Sequence, residues 1–240
     1  MGKHLIYKRF EALSHALRVL MESNLRFGTL MGIDLDEAIG NMETGFETVL
    51  EALHSLYDAM EKELKERFNW YSSPETCTIL ALRNAKHHNL SNGIQSLFKY
   101  HVQHSTAPKE PLRYLLFPYS TDNINVKYYI SLGDISNLIS LPSGKSHLRP
   151  EAIELIKNYL NVSSLEEYAN RKSLKNDRIF IDAIPLVINT GRKVYPYIEK
   201  FLKDSSFRES AEVQGIRSAF SERGQIEAVI NKKQIIRWSF

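Results

Sequence analysis

The chain has 240 residues, 43% hydrophobic and 25% charged, with 31 basic against 28 acidic side chains and a net charge of +3. That balance excludes a disordered chain, and so small a basic excess permits a nucleic-acid partner without requiring one. Cys77 is the single cysteine, so no internal disulfide forms, and a reducing compartment is expected. No stretch approaches the roughly 20 apolar residues of a membrane span. The segment from Met1 to Arg9 is charged and lacks the apolar run of a signal peptide. Ile6 stands where myristoylation of Gly2 needs Ser or Thr. The expectation is a soluble, cytoplasmic protein of one large domain or two small ones, with no membrane partner.

Ile6, Phe10, Leu13, Leu17 and Leu20 recur at spacings of four and three, so they form one apolar stripe on a first helix. Gly28 and Gly32 are expected to interrupt it. A longer stripe follows through Ile39, Met42, Phe46, Val49, Leu53, Leu56, Met60 and Leu64, sustained for about seven turns. A short glycine-containing link should make the two helices antiparallel neighbours. Their stripes serve an intrachain core, with a seam to a second copy as the other use. A third helix is expected to start at Ser73, with serine as the cap and Pro74 in its first turn. It runs through Ile79, Leu80 and Leu82 into Arg83-Asn84-Ala85-Lys86-His87-His88, and Asn89 to Gly93 stops it. A fourth helix carries Ile94, Leu97, Phe98 and His101.

After Pro108 the composition shifts to aromatic and branched residues. Leu112 to Tyr119 and Val126 to Leu132, around Thr121-Asp122-Asn123, predict a hairpin. Helices resume over Pro150 to Leu160 and after Ser163-Ser164, where Ser164 and Glu167 fit a capping box. Ile179 to Lys203 reads as a helix broken or kinked by Pro185, Gly191 and Pro196. Ile226 to Ile230 and Gln234 to Trp238, flanking Asn231-Lys232-Lys233, predict a second hairpin that joins the first in a small antiparallel sheet. The fold class is therefore mainly α, a helical bundle over 1–107 with a small antiparallel β addition. Residues 108–240 supply hairpins and helices packed on the bundle, or continue one domain with it.

The hexapeptide at 83–88 carries the chemistry. On a helix, at about 100° per residue, Arg83, His87, Asn84 and His88 share one polar arc. Arginine offers a rigid fork of donors for phosphate, and histidine alone titrates near neutrality unperturbed. The chain has 14 Arg, 15 Asn and 8 His, so a shuffle would produce Arg-Asn-x-x-x-His only roughly 0.03 times. The plain structural alternative is a helix end where basic side chains meet the negative end of the dipole.

Arg83-Asn84-x-x-x-His88 resembles the motif of the HEPN superfamily: an arginine followed by a polar residue, with four to six residues before a histidine. His88, not His87, fits that spacing. The resemblance covers the motif and the helical layout to about residue 105. These are helical-bundle proteins of bacterial toxin–antitoxin and antiviral-defence systems. The resemblance implies a metal-independent endoribonuclease that works as a homodimer, with two motifs facing across a cleft and no cofactor. It implies that His88 acts as general acid or base, that Arg83 holds the scissile phosphate, and that Asn84 orients the backbone or the histidine. The product would be a 2′,3′-cyclic phosphate, the substrate RNA, and an antitoxin or regulatory protein a further partner. Lys86 and His87 are candidates for added phosphate contacts, and Tyr71 for base stacking. The rival function is a non-catalytic helical module for dimerisation or for binding a nucleotide or RNA.

Other motifs carry less. His101 and His104 lack the cysteine or carboxylate partners of a zinc site, so no metal is called for. Gly144-Lys145-Ser146 echoes a phosphate loop, but Ile139 stands where its first glycine belongs. Asn161-Val162-Ser163 fits a glycosylation acceptor, of no consequence without secretion. Cys77 reads as a buried thiol and Trp70 as core. Arg192-Lys193 and Lys232-Lys233 read as solvated surface unless the fold gathers them at the motif.

Overall fold

The structure is a computed structural model. It describes residues 4–64, 68–105, 112–117, 126–203 and 210–222, together with the backbone of 234–238. The protein is mostly helical with one small sheet. Its contacts divide it into two units, 1–83 with 186–225 and 84–185 with 226–240. The expected boundary at 107/108 falls inside the second unit.

The first unit is built on an antiparallel helix pair, α1 (Leu5–Met31) and α2 (Leu35–Glu63). Both stripes are buried as the periodicity requires: Ile6, Phe10, Leu13, Leu17 and Leu20 face Met42, Phe46, Val49, Leu53 and Met60. Gly28 does not interrupt α1. An isolated glycine costs a helix only about 1 kcal/mol, and the chain turns at Gly32 instead. Asp34 begins α2 by accepting from the Glu37 amide at 3.0 Å. At the far end Glu63 reaches across to α1, its two carboxylate oxygens accepting the Leu5 and Ile6 amides at 2.8 and 2.9 Å. A Cβ at Gly45 would stand 3.3 Å from the Leu20 Cα, so glycine lets the two backbones approach closely.

The third helix, α3 (Pro74–His87), begins where the sequence puts it, with the Ser73 carbonyl accepting the Cys77 amide at 2.9 Å. The Ser73 hydroxyl itself donates to the Glu75 carboxylate. The first unit also holds most of α9 (Ile184–Lys203) and all of α10 (Ala211–Ser221). Thr190 on α9 donates to the Glu75 carbonyl at 3.0 Å. The Phe220 ring lies on Gly191, where a Cβ would come within 2.3 Å of it.

The second unit carries α4 (Leu97–His104), β1 (Leu112–Phe117), β2 (Tyr129–Ser131), α5 (Leu132–Ser140), α6 (Ser143–Ser146), α7 (Pro150–Leu160), α8 (Val162–Arg171), β3 (Ile179–Asp182) and β4 (Gln234–Trp238). The sheet order is β2-β3-β1-β4. The expected first hairpin does not form: β3 lies between β1 and β2, parallel to β1 with Leu116 opposite Phe180 and antiparallel to β2. The sheet is therefore mixed, not antiparallel. β4 joins it as expected, antiparallel to β1 with Leu115 opposite Ile235; the other half of that hairpin, 226–233, lies outside the described residues.

Ile179 to Asp182 is a strand and not the start of a helix. Its four residues, three of them apolar, are all buried, and so short a run on an inner strand shows no alternation to read. Pro185 then falls in the first turn of α9, where proline is tolerated. The Ser164–Glu167 capping box is not used either. α8 starts earlier, at Val162, after Asn161 takes a left-handed conformation at φ 52°. Leu97, Tyr100, Tyr114, Leu116 and Phe180 form a core between α4 and the sheet.

Candidate functional site

From Glu75 to Leu82, α3 is almost entirely buried, Cys77, Ile79 and Leu82 among its apolar residues and Thr76 and Thr78 among its polar ones. A helix covered on all faces is a core element, and its chemistry can appear only where it emerges. That happens at Arg83. Its side chain is 16% exposed and lies on Glu51 of α2, Nε to Oε1 at 3.0 Å and Nη2 to Oε2 at 3.1 Å. The fork expected to take a phosphate takes this carboxylate.

Arg83 closes the first unit's share of α3, and Asn84 to His88 belong to the second. Asn84 and Lys86 are half-buried and Ala85 fully buried, while His87 and His88 are exposed. The Asn84 carbonyl accepts the His88 amide at 3.0 Å, the final turn of the helix. The two imidazoles meet edge to face with centroids 4.9 Å apart. A third ring, that of exposed His147, stands 6.1 Å from His88. Nothing in the sequence announces that meeting, because His147 follows α6 and is far away along the chain.

The backbone around these rings is strained. Asn89, Ser91, Asn92 and Ile94 all have positive φ, between 47° and 57°, and so does His147 at 56°. Left-handed conformations are uncommon outside glycine and unusual for a branched residue such as Ile94. Strain of this sort costs on the order of 1–3 kcal/mol per residue and persists where surrounding contacts over-determine it. Asp134 holds this loop at Asn92 and Gln95. It is 7% exposed, and its carboxylate accepts the Gln95 amide at 3.0 Å and the Asn92 side chain at 3.2 Å. Burial holds the Asp134 carboxyl above the usual carboxylate range, against the pull of those donors.

The remaining candidates separate cleanly. Tyr71 is 41% exposed with its ring edge-on to Tyr57, whereas Trp70 is buried. Burial pushes the Cys77 thiol up to about 11, so it stays protonated at neutral pH. His101 is buried against the Tyr114 hydroxyl, 2.7 Å from its Nδ1, and burial and then Arg178 lower its pKa. His104 stacks on Tyr100 instead. Gly144 to Ser146 lie in the single turn of α6, which is directly preceded by a helix, α5, and not by a strand. Arg192 donates to the Ala219 carbonyl at 3.1 Å and pairs with Glu222, leaving Lys193 exposed; Lys232 and Lys233 lie outside the described residues.

Two cavities lie away from the hexapeptide. One of about 510 Å³, in the first unit, is lined by Glu75, Asn189, Arg192 and Phe220 among others. The other, of about 360 Å³ in the second unit, includes Asp134, Tyr100, His104 and Asp177. Residues 83–88 line neither of these two, and the His87 and His88 side chains are exposed. Among the described residues no helix is long and apolar enough to cross a membrane. No family model, no curated protein and no solved structure matches the chain.

Proposed function

We propose that the chain is a metal-independent endoribonuclease of the toxin or antiphage-defence type, acting on RNA through Arg83 and His88. The observation that carries this reading is the exposed His87–His88 pair at the end of α3, held at a fixed place by a buried helix before it and a pinned, strained loop after it. Cleavage of RNA needs no outside nucleophile. The ribose 2′-oxygen attacks its own phosphorus, one group takes the hydroxyl proton, and another returns a proton to the departing 5′-oxygen. An imidazole can do either task, and His88 is the imidazole at the motif's spacing.

Arg83 takes the phosphate role in this reading, and Asn84 an orienting one. An incoming phosphate has to displace Glu51, and partly exposed ion pairs are worth only about 0–1 kcal/mol net, so that exchange is inexpensive. Lys86 and His87 add cationic or donor contacts to the backbone, where phosphate binding supplies most of the affinity. Tyr71 offers a face for stacking. A homodimer and a restraining antitoxin or regulatory protein belong to the same proposal.

The test is cleavage of single-stranded RNA in EDTA by the purified protein and by Arg83→Ala and His88→Ala. Loss of a general acid or base lowers the rate on the order of 10²–10⁴-fold, and both variants should keep their thermal transition. Wild-type protein that leaves RNA intact, or variants that cleave as well as it does, overturns the reading. A second reading is favoured by the Arg83–Glu51 contact: the hexapeptide is a structural joint, Arg83 fastening α3 to α2 in a non-catalytic interaction module. Arg83→Ala would then lower stability, with no RNA cleavage to lose.

A further inference from the structure

His88 and His147 stand on the surface of one unit with ring centroids 6.1 Å apart and planes inclined by 51°. Both rings are exposed, and both are held from behind. His88 follows the final turn of α3 and precedes the loop that Asp134 pins. His147 closes α6, its amide donating to the Ser143 carbonyl at 2.8 Å, between Ser146 at 1% and Leu148 at 4% exposure. Buried neighbours on each side and a left-handed backbone place His147 at this point of the surface, with its side chain exposed.

Metal-free cleavage of a ribose phosphodiester needs two proton-transfer groups, one on each side of the phosphorus. Each must come within about 3 Å of its own oxygen. A lone imidazole can serve only one side at a time. We infer that His88 and His147 form the acid–base pair of a single active site, within one chain, that takes a single-stranded RNA phosphodiester between the two rings. This rests on the ribonuclease reading and sharpens it, because the HEPN resemblance implies a cleft shared by two copies.

The step balances without any co-reactant. The unprotonated imidazole takes the 2′-hydroxyl proton as the 2′-oxygen bonds to phosphorus. The phosphorus–5′-oxygen bond breaks, and the protonated imidazole gives its proton to the leaving oxygen. The products are a 2′,3′-cyclic phosphate and a free 5′-hydroxyl, and the pair ends with its proton exchanged between the rings. His87, 4.9 Å from His88, is the titratable neighbour. Exposed Lys145 and Arg149 flank His147 along the chain, with half-buried Lys86 on the other side of His87, and these cations supply attraction for the phosphate backbone.

The experiment compares wild type, His88→Ala, His147→Ala and an equimolar mixture of the two variants on a single-stranded RNA in EDTA, across pH 5 to 9. Wild-type cleavage should be bell-shaped in pH, and each variant should lose on the order of 10²–10⁴-fold in rate together with one limb of the bell. The variant that lacks the acid should recover most of its rate on uridine 3′-(4-nitrophenyl phosphate), whose leaving group needs no proton. The mixture should stay as inactive as its components, since each chain lacks half of its pair. If wild type cleaves and His147→Ala keeps both its rate and the bell, or if mixing restores activity, the single-chain pair is overturned while the ribonuclease reading stands. If wild type cleaves nothing, both fall.

Discussion

The Arg83 guanidinium grips the Glu51 carboxylate at two points, Nε to Oε1 at 3.0 Å and Nη2 to Oε2 at 3.1 Å. Two-point contacts of this kind are the strongest that arginine makes, yet Glu51 is 51% exposed and competes with water. Replacing Glu51 by Gln should cost less than about 1 kcal/mol of stability. It should also raise RNA affinity a few-fold and steepen its salt dependence, because the carboxylate that competes with a phosphate for Arg83 is gone. Filter binding over a salt series checks this. Affinity that is unchanged or lower in Glu51→Gln would place Arg83 in the scaffold.

Glu63 closes the open end of α1 from the end of α2. His4 precedes the helix without a side-chain cap, and the Leu5 and Ile6 amides donate instead to the Glu63 carboxylate. A carboxylate at a helix N-terminus satisfies orphan donors and favours the dipole. Glu63→Ala should therefore lower stability by about 1–2 kcal/mol, and Glu63→Gln by less, since one acceptor remains. Urea denaturation at constant m-value is the measurement.

Asp134 acts on the site through the loop from Asn89 to Ile94. Removing its acceptors leaves the Gln95 amide without its partner and lets the left-handed residues relax. Asp134→Ala should cost about 1–3 kcal/mol, and RNA cleavage should fall by more than the loss of folded protein explains. The pH profile of the remaining activity should keep its shape, because Asp134 positions the histidine and transfers no proton. A changed profile would assign it a different role.

Asp182 sets a pH dependence of stability. Its carboxyl is fully buried, and that burial raises its pKa against the Lys127 ammonium, 3.2 Å away, and the Ile184 and Tyr128 amides. A folded value above the unfolded one means stability present at low pH and lost as pH rises through the folded value. Relative to Asp182→Asn, wild type should lose stability as pH climbs from about 4. Denaturation midpoints of the two proteins between pH 4 and 7 check the sign, and a wild type that gains over that range would show the Lys127 pair outweighing burial.

The helical half of the fold was legible because its periods are long. The stripes over Ile6–Leu20 and Ile39–Leu64 each repeat often enough to fix both the face and the element. Pro150–Leu160 has its proline and its apolar spacing, and α7 forms over those residues. Of the sheet, β1, β2 and β4 fall in segments that the sequence marks as strands, whereas β3 and the strand order were not legible. Strand partners are set by contacts across long separations, and the buried run Ile179–Asp182 carries no period of its own. At the site, local patterning located the exposed His87 and His88 at the end of α3. It gave no hint of Glu51, drawn from α2, or of His147, because a tertiary neighbour leaves no mark on spacing within one helix.

The most direct test of the central claim is to identify the ends produced when a defined single-stranded RNA is incubated in EDTA with wild type and with His88→Ala at equal folded concentration. The expected result is a set of 2′,3′-cyclic phosphate and 5′-hydroxyl ends from wild type that disappears with His88→Ala. Intact RNA with wild type, equal cleavage by the variant, or 3′-hydroxyl ends would contradict it.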